Sequence, residues 1–155
     1  MSIKKRLLLK LVAMVLVVAC VLPVNIMAAD TRASDYINYY SGYIYNASLG
    51  KVQVWFDVEA THNMDELGAL EVQLYESTDN VNFTWVKTFS CTDYPDMLGY
   101  DNCIHSAHVQ YKGYIGRYYK AYVTVWAGRN GGGDSRSFWT QVQRATPFAG
   151  QTTAA

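Results

Sequence analysis

The sequence predicts an all-β protein, an antiparallel sandwich of about seven strands. Three observations carry this. Tyr119, Ala121, Val123, Val125 and Ala127 alternate with Tyr118, Lys120, Tyr122, Thr124 and Trp126; a period of two marks a strand with one face on a core. Gly128 to Asp134 is glycine-rich, and Phe138, Thr140 and Val142 then alternate with Trp139 and Gln141. Two such runs across a Gly-rich turn make an antiparallel hairpin. Short strand-like runs between turn signals recur along the rest of the chain, and no helix-period stretch follows the N-terminal segment. That is the pattern of a β-sandwich or barrel.

Taken in order, the chain opens on Lys4, Lys5 and Arg6, then an apolar run from Leu7 to Leu22 broken by Lys10, then Pro23 and the small residues Ala28 and Ala29. This is the layout of a secretory signal peptide, with a cut expected after Ala29. Lys10, Pro23 and Asn25 leave it short for a membrane span, so no transmembrane anchor is expected. A competing reading takes Val17-Val18-Ala19-Cys20 as a lipobox, with Cys20 the lipidated first residue. However, apolar residues continue past Cys20, where a lipoprotein turns polar. Residues 1–29 are therefore expected to be removed, leaving 126 of 155. That is enough for one sandwich domain, 30–145, and a flexible tail, 146–155.

Tyr36 to Leu49, crowded with tyrosine, is expected to be the first strand, bulged at Gly42. Lys51 to Thr61 sets Val52, Val54, Phe56, Val58 and Ala60 against Gln53, Trp55, Asp57 and Glu59, a half-buried strand. Thr61 to Gly68 reads as a connection whose Met64 and Leu67 fold back to cap the core. Ala69 to Ser77 follows, with Leu70, Val72 and Leu74 inward. Ser77 to Asn82 has the composition of a turn whose side chains bond their own backbone. Phe83 to Ser90 is a short strand near an edge, with two faces too alike to assign. Cys91 to Cys103 is an irregular loop, Ile104 to Tyr111 another strand, and the closing hairpin comes last. From Ala145 on, the chain is expected to fray.

Gly116 to Val123 resembles the corner and penultimate strand of immunoglobulin and fibronectin-III domains. In those domains a tyrosine near the strand start bonds back to the preceding corner, and Tyr119 occupies that place here. The resemblance implies an immunoglobulin/fibronectin-III-like sandwich. The cysteine and tryptophan of true immunoglobulins are absent, because Cys91 and Cys103 do not fall on facing core strands. The signal segment, Ala33 to Ile37, Met64 with Leu67-Gly68-Ala69, and the run Gly113, Gly116, Tyr119, Ala121 resemble a family of small secreted proteins of Gram-positive bacteria. Its members carry only a domain-of-unknown-function label, so the match implies secretion and a β fold, and no activity.

Four of the 13 basic residues precede the expected cut. The remaining 9 face 13 acids, a formal net of −4 with no basic run, which argues against nucleic acid as a partner. Cys91 and Cys103, an even pair in an exported chain, are expected to form a disulfide. With His105 and His108 they do not make a standard zinc spacing. His105 and His108 lie three apart on a strand and so point to opposite faces. Asp93, Asp96 and Asp101 match no calcium-loop template. No metal and no cofactor is expected. G-x-S-x-G and H-E-x-x-H are absent, so no catalytic residue is assigned.

All 13 tyrosines follow the expected cut. Tyr75, Tyr118, Tyr122, Trp126 and Trp139 are expected on one outward face, interleaved with Gln73, Lys120, Thr124 and Gln141. Amphipathic rings among hydrogen-bonding groups can stack on sugars or anchor a protein; they can equally stabilise the sheet as cross-strand pairs. The function expected is that of a secreted, non-enzymatic module that binds a cell-surface glycan or protein. Two alternatives stand beside it. One is a small exported glycan-acting enzyme using Asp57, Glu59 or the loop acids. The other is a structural accessory domain that associates with itself.

Overall fold

A computed structural model describes residues 34–149. The expected signal segment, Cys20 and residues 150–155 lie outside the described residues. The strands are β1 (Ile37–Asn46), β2 (Lys51–Met64), β3 (Glu66–Ser77), β4 (Thr84–Ser90), β5 (Leu98–Gly99), β6 (Asn102–Lys112), β7 (Tyr118–Arg129), β8 (Gly132–Trp139) and β9 (Gln143–Arg144). They form two antiparallel sheets. One has the order β1-β2-β6; the other runs β4-β3-β7-β8, with β5 on β3 and β9 on β7. The fold is an all-β sandwich, as the alternating patterns predict.

The core follows from the alternation. Val52, Val54, Phe56 and Val58 of β2 face Val123, Val125, Ala121 and Ala127 of β7, and each is at most 1% exposed. Met64 and Leu67 are buried as caps, although the expected connection from Thr61 shrinks to Asp65 alone between β2 and β3. Leu70, expected inward, is not in the core. The register between β3 and β7 shifts between Ala69 and Glu71, so Leu70 is the extra residue of a bulge and Ala69 takes the buried place. A bulge changes the face of one residue without disturbing the strands on either side.

Gly42 is not a bulge. A Cβ there would lie 2.8 Å from the Trp55 carbonyl oxygen and 2.9 Å from the Phe138 ring. The glycine lets a ring of the opposite sheet approach β1. The register shift of β1 falls between Ile37 and Tyr39 instead.

The closing hairpin is tighter than its glycine content suggests. Arg129 pairs with Gly132, leaving a two-residue turn of Asn130 (φ 53°) and Gly131 (φ 77°). Positive φ at both central residues is the Asn-Gly signature of the turn that matches strand twist. Strand β8 ends at Trp139, short of the expected Val142. Thr140 then turns inward, and its hydroxyl accepts from the Ala121 N–H at 2.9 Å.

The segment after Ala145 does not fray where it is described. Ala145 is fully buried. Its N–H donates to the Arg117 carbonyl at 2.8 Å, and its own carbonyl accepts from Gly116 at 2.7 Å. The buried Asn46 holds the next residues. Its amide donates to Thr146 Oγ1 at 2.6 Å and to the Phe148 carbonyl, and its Oδ1 accepts from the Thr146 N–H at 3.2 Å. Small polar composition reads as a tail, but here those residues satisfy a buried amide.

The expected Cys91–Cys103 disulfide is not formed; both thiols are free. Cys91 lies just past β4 and packs half-buried against the core, while Cys103 is exposed on β6 in the other sheet. The loop between them is structured without a bridge. The Asp93 and Tyr94 N–H groups both donate to the Ser90 carbonyl, at 3.0 and 2.9 Å. Met97 is buried, and β5 pairs with Leu67 and Gly68. The loop folds onto β3, and its two ends are carried to different sheets.

Candidate binding face

The outward face of the larger sheet gathers three of the five expected aromatics. Tyr122 stands opposite Gln73 on β3 and Trp139 on β8. Trp139 is 49% exposed, and its ring centre lies 5.0 Å from that of Tyr122 and 5.1 Å from that of Tyr75, both tilted. These are favourable separations for aromatic pairs. Alternation on β3, β7 and β8 puts the three rings on one side, and the antiparallel register sets them side by side.

Tyr118 and Trp126 stand apart from that cluster. Tyr118 pairs with Ser77 at one end of the sheet, under the Arg144 guanidinium 5.6 Å above its ring. Trp126 lies two rows beyond Tyr122, past the Thr124 and Ser137 hydroxyls, which bond at 3.0 Å. Its indole folds over the facing pair Gly128 and Gly133. A Cβ on Gly128 would meet Trp126 Nε1 at 2.6 Å, and one on Gly133 would meet the benzo edge of the ring. A side chain at either position would lift the indole off the sheet. A cleft of about 300 Å³ opens beside it, lined by Asp65, Glu66 and Arg129.

Two aromatics that the sequence left unassigned complete the cluster. Trp85 of β4 stands opposite Tyr75, is 59% exposed, and donates from its indole to Thr88 Oγ1 at 3.0 Å. Phe83 precedes the strand. Lys120, which pairs with Tyr75, places its ammonium 4.4 Å from the Phe83 ring centre and 4.5 Å from that of Trp139. The register between β3 and β4 shifts between Leu74 and Tyr75. That shift blurs the alternation of Phe83 to Ser90 and hides Trp85.

The other expected groups do not converge on this face. Asp57 and Glu59 lie on β2, in the smaller sheet. Asp57 Oδ1 accepts from the Ser106 hydroxyl at 2.5 Å and Glu59 from the Asn38 amide at 2.9 Å. His108 stacks on Trp55 at 4.3 Å, with Tyr43 on that tryptophan's other side at 6.4 Å. This second aromatic ladder was not singled out in the sequence. His105 turns the other way and meets the Asp96 carbonyl oxygen at 3.1 Å. Among the described residues, no three His, Cys, Asp or Glu side chains are grouped to hold a metal ion.

Two titrating groups are displaced by their surroundings. Burial, reinforced by the bond to Glu76, pushes the Tyr119 phenol far above the usual tyrosine range. The Asn82 N–H, then the Ser77 hydroxyl and the Val81 N–H, hold the Asp79 carboxyl well below the usual carboxylate range. Neither lies in the aromatic cluster.

Fold and face together define an antiparallel β-sandwich with an exposed aromatic sheet. Comparison with protein-family models, with curated proteins and with solved structures finds no match. Among the described residues no helix is long and apolar enough to cross a membrane.

Proposed function

We propose that the chain is an exported, non-enzymatic domain that binds a surface glycan through the Tyr75, Tyr122, Trp139 and Trp85 face. The observation that carries this reading is the exposure of Trp139 and Trp85 on one sheet face, in two adjacent cross-strand rows with Tyr122 and Tyr75, bordered by Gln73, Thr88, Thr124 and Ser137. Flat rings give stacking area, and short polar side chains give hydrogen bonds to hydroxyl groups. A protein interface uses similar rings, but this face mixes them with hydroxyls and amides instead of an apolar surround. Asp57 and Glu59 are in the other sheet and engage neutral donors, which leaves the rings without a carboxylate pair to act on a bound sugar.

Export rests on the N-terminal pattern and on the resemblance to small secreted proteins of Gram-positive bacteria. Assignment to the fibronectin-III type is supported by the strand order β1-β2-β6 and β4-β3-β7-β8 and by the corner tyrosine. A glycan array probed with residues 30–155, parent beside Trp139→Ala, tests the binding reading. Hits on the parent that vanish in the variant, at an unchanged urea midpoint, are the expected result. An array empty for both proteins, or hits that survive Trp139→Ala, would remove it. A hydrolysis screen on the hits checks the non-enzymatic part.

A further inference from the structure

We infer that the glycan this face takes is acidic: a polyuronate whose ring stacks on Trp139 while its carboxylate meets Lys120. The inference rests on the glycan-binding reading above and adds the charge of the ligand. Lys120 stands at the centre of the cluster, between Phe83 and Trp139, with Tyr75 as its cross-strand neighbour. Among the described residues no carboxylate lies within ion-pair reach of it. Other cations near this end of the sheet have defined partners. Arg117 pairs with Glu76, and Arg144 covers Tyr118 and donates to the Gly116 carbonyl at 3.3 Å. Among the described residues Lys120 meets only aromatic faces.

A cation resting on two rings is fixed in place and partly stripped of water. Its attraction to the ring quadrupoles leaves a full positive charge to be met from outside. Nearby carboxylates do not supply the countercharge. Asp79 is taken up by its own turn, Glu76 is buried, and Glu71 accepts from the Gln73 amide. A neutral sugar would stack on Trp139 and leave the ammonium unmatched. A uronate brings a flat hydrophobic ring face and, at the ring edge, a carboxylate suited to a point charge. The complementarity is local, since the expected exported chain carries a formal net charge of −4 and would repel a polyanion elsewhere on its surface.

The test is calorimetric titration of residues 30–155 with an oligogalacturonide and with its fully methyl-esterified form, which keeps the rings and loses the charge. The acid form is expected to bind about tenfold more tightly, the worth of one charge-assisted hydrogen bond, and to weaken as salt is raised. Lys120→Met should bring the two forms to equal affinity, while Lys120→Arg should keep the preference; matched urea midpoints guard against loss of folding. Equal binding of acid and ester by the parent, or a preference that survives Lys120→Met, overturns the acidic ligand and leaves glycan binding standing. A sulfated galactan that binds as tightly as the uronate, through Lys120, overturns the carboxylate. Failure of both uronide forms together with an empty array removes the underlying reading as well.

Discussion

The Tyr119 hydroxyl stands between two partners in the core: it donates to Glu76 Oε2 and accepts from the Tyr114 backbone N–H at 2.9 Å. Glu76 is also paired with Arg117. The tyrosine thus ties the corner before β7 to a buried carboxylate on β3. Tyr119→Phe leaves the Tyr114 N–H without its acceptor and should cost about 1–3 kcal/mol. Tyr122→Phe, on the outer face, should cost little. Equal urea midpoints for Tyr119→Phe and the parent would show that the corner bond contributes nothing.

The same contact predicts behaviour in alkali. The folded chain resists ionising Tyr119, so the unfolded chain loses that proton first. The stability this contributes is full below the ordinary tyrosine value of about 10 and falls as pH rises from there towards the raised folded value. The urea midpoint of the parent should drop between pH 9 and 11, on the order of that ordinary value, more steeply than that of Tyr119→Phe.

Asp79 predicts an acid-side effect of opposite sense. Its folded carboxyl is held low by the turn donors, so the stability it contributes is present above the ordinary aspartate value of about 3.9. It is lost as pH falls from there towards the folded value. Asp79→Ala should be less stable than the parent at neutral pH, with the gap closing in acid. A gap that stays constant from pH 7 down to about 2 would rule out the carboxylate as its source.

The thiols give a further check. Two free thiols, Cys91 and Cys103, are expected in unfolded, unreduced residues 30–155. In the folded chain the exposed Cys103 should react with a disulfide reagent faster than the half-buried Cys91. An unfolded chain with no reactive thiol would restore the bridge that the even cysteine count suggested.

Gly128→Ala should displace the Trp126 indole, since the new methyl would occupy the ring's place. Crowding of this kind costs about 1–3 kcal/mol. The tryptophan emission of Gly128→Ala should shift to the red, and the shift should vanish when Trp126 is also changed to Phe. An unchanged spectrum in Gly128→Ala would mean that the ring does not rest on the glycines.

Much of the scaffold was legible because it depends on a period of two. The β7 pattern located Tyr119 on the inner face and Tyr122 on the outer one, and both are so placed. What was not legible depends on residues that break the period. Leu70 was misassigned because a bulge costs one residue of register, and Trp85 was hidden for the same reason. Gly128, Gly131 and Gly133 read as one glycine-rich turn, yet of the three only Gly131 turns the chain; the other two make room for a ring. Ala145 to Phe148 were misread because composition reports polarity but not which buried group the polarity answers. The Cys91–Cys103 pairing failed because counting cysteines does not say which sheet each one joins.

The bonds from Asn46 to Thr146 and Phe148 span about a hundred positions of the chain. During synthesis, the end of the first strand is therefore made long before the residues that complete it. Until Thr146 and Phe148 are in place, the buried Asn46 amide lacks its partners at that corner, and the domain is only provisionally closed. A chain ending at Arg144 should remain in that provisional state, while one ending at Ala149 should fold fully; their urea transitions would tell the two apart. Closure of that corner then waits on a segment a hundred positions downstream of the strand it completes, a latch set by Thr146 and Phe148.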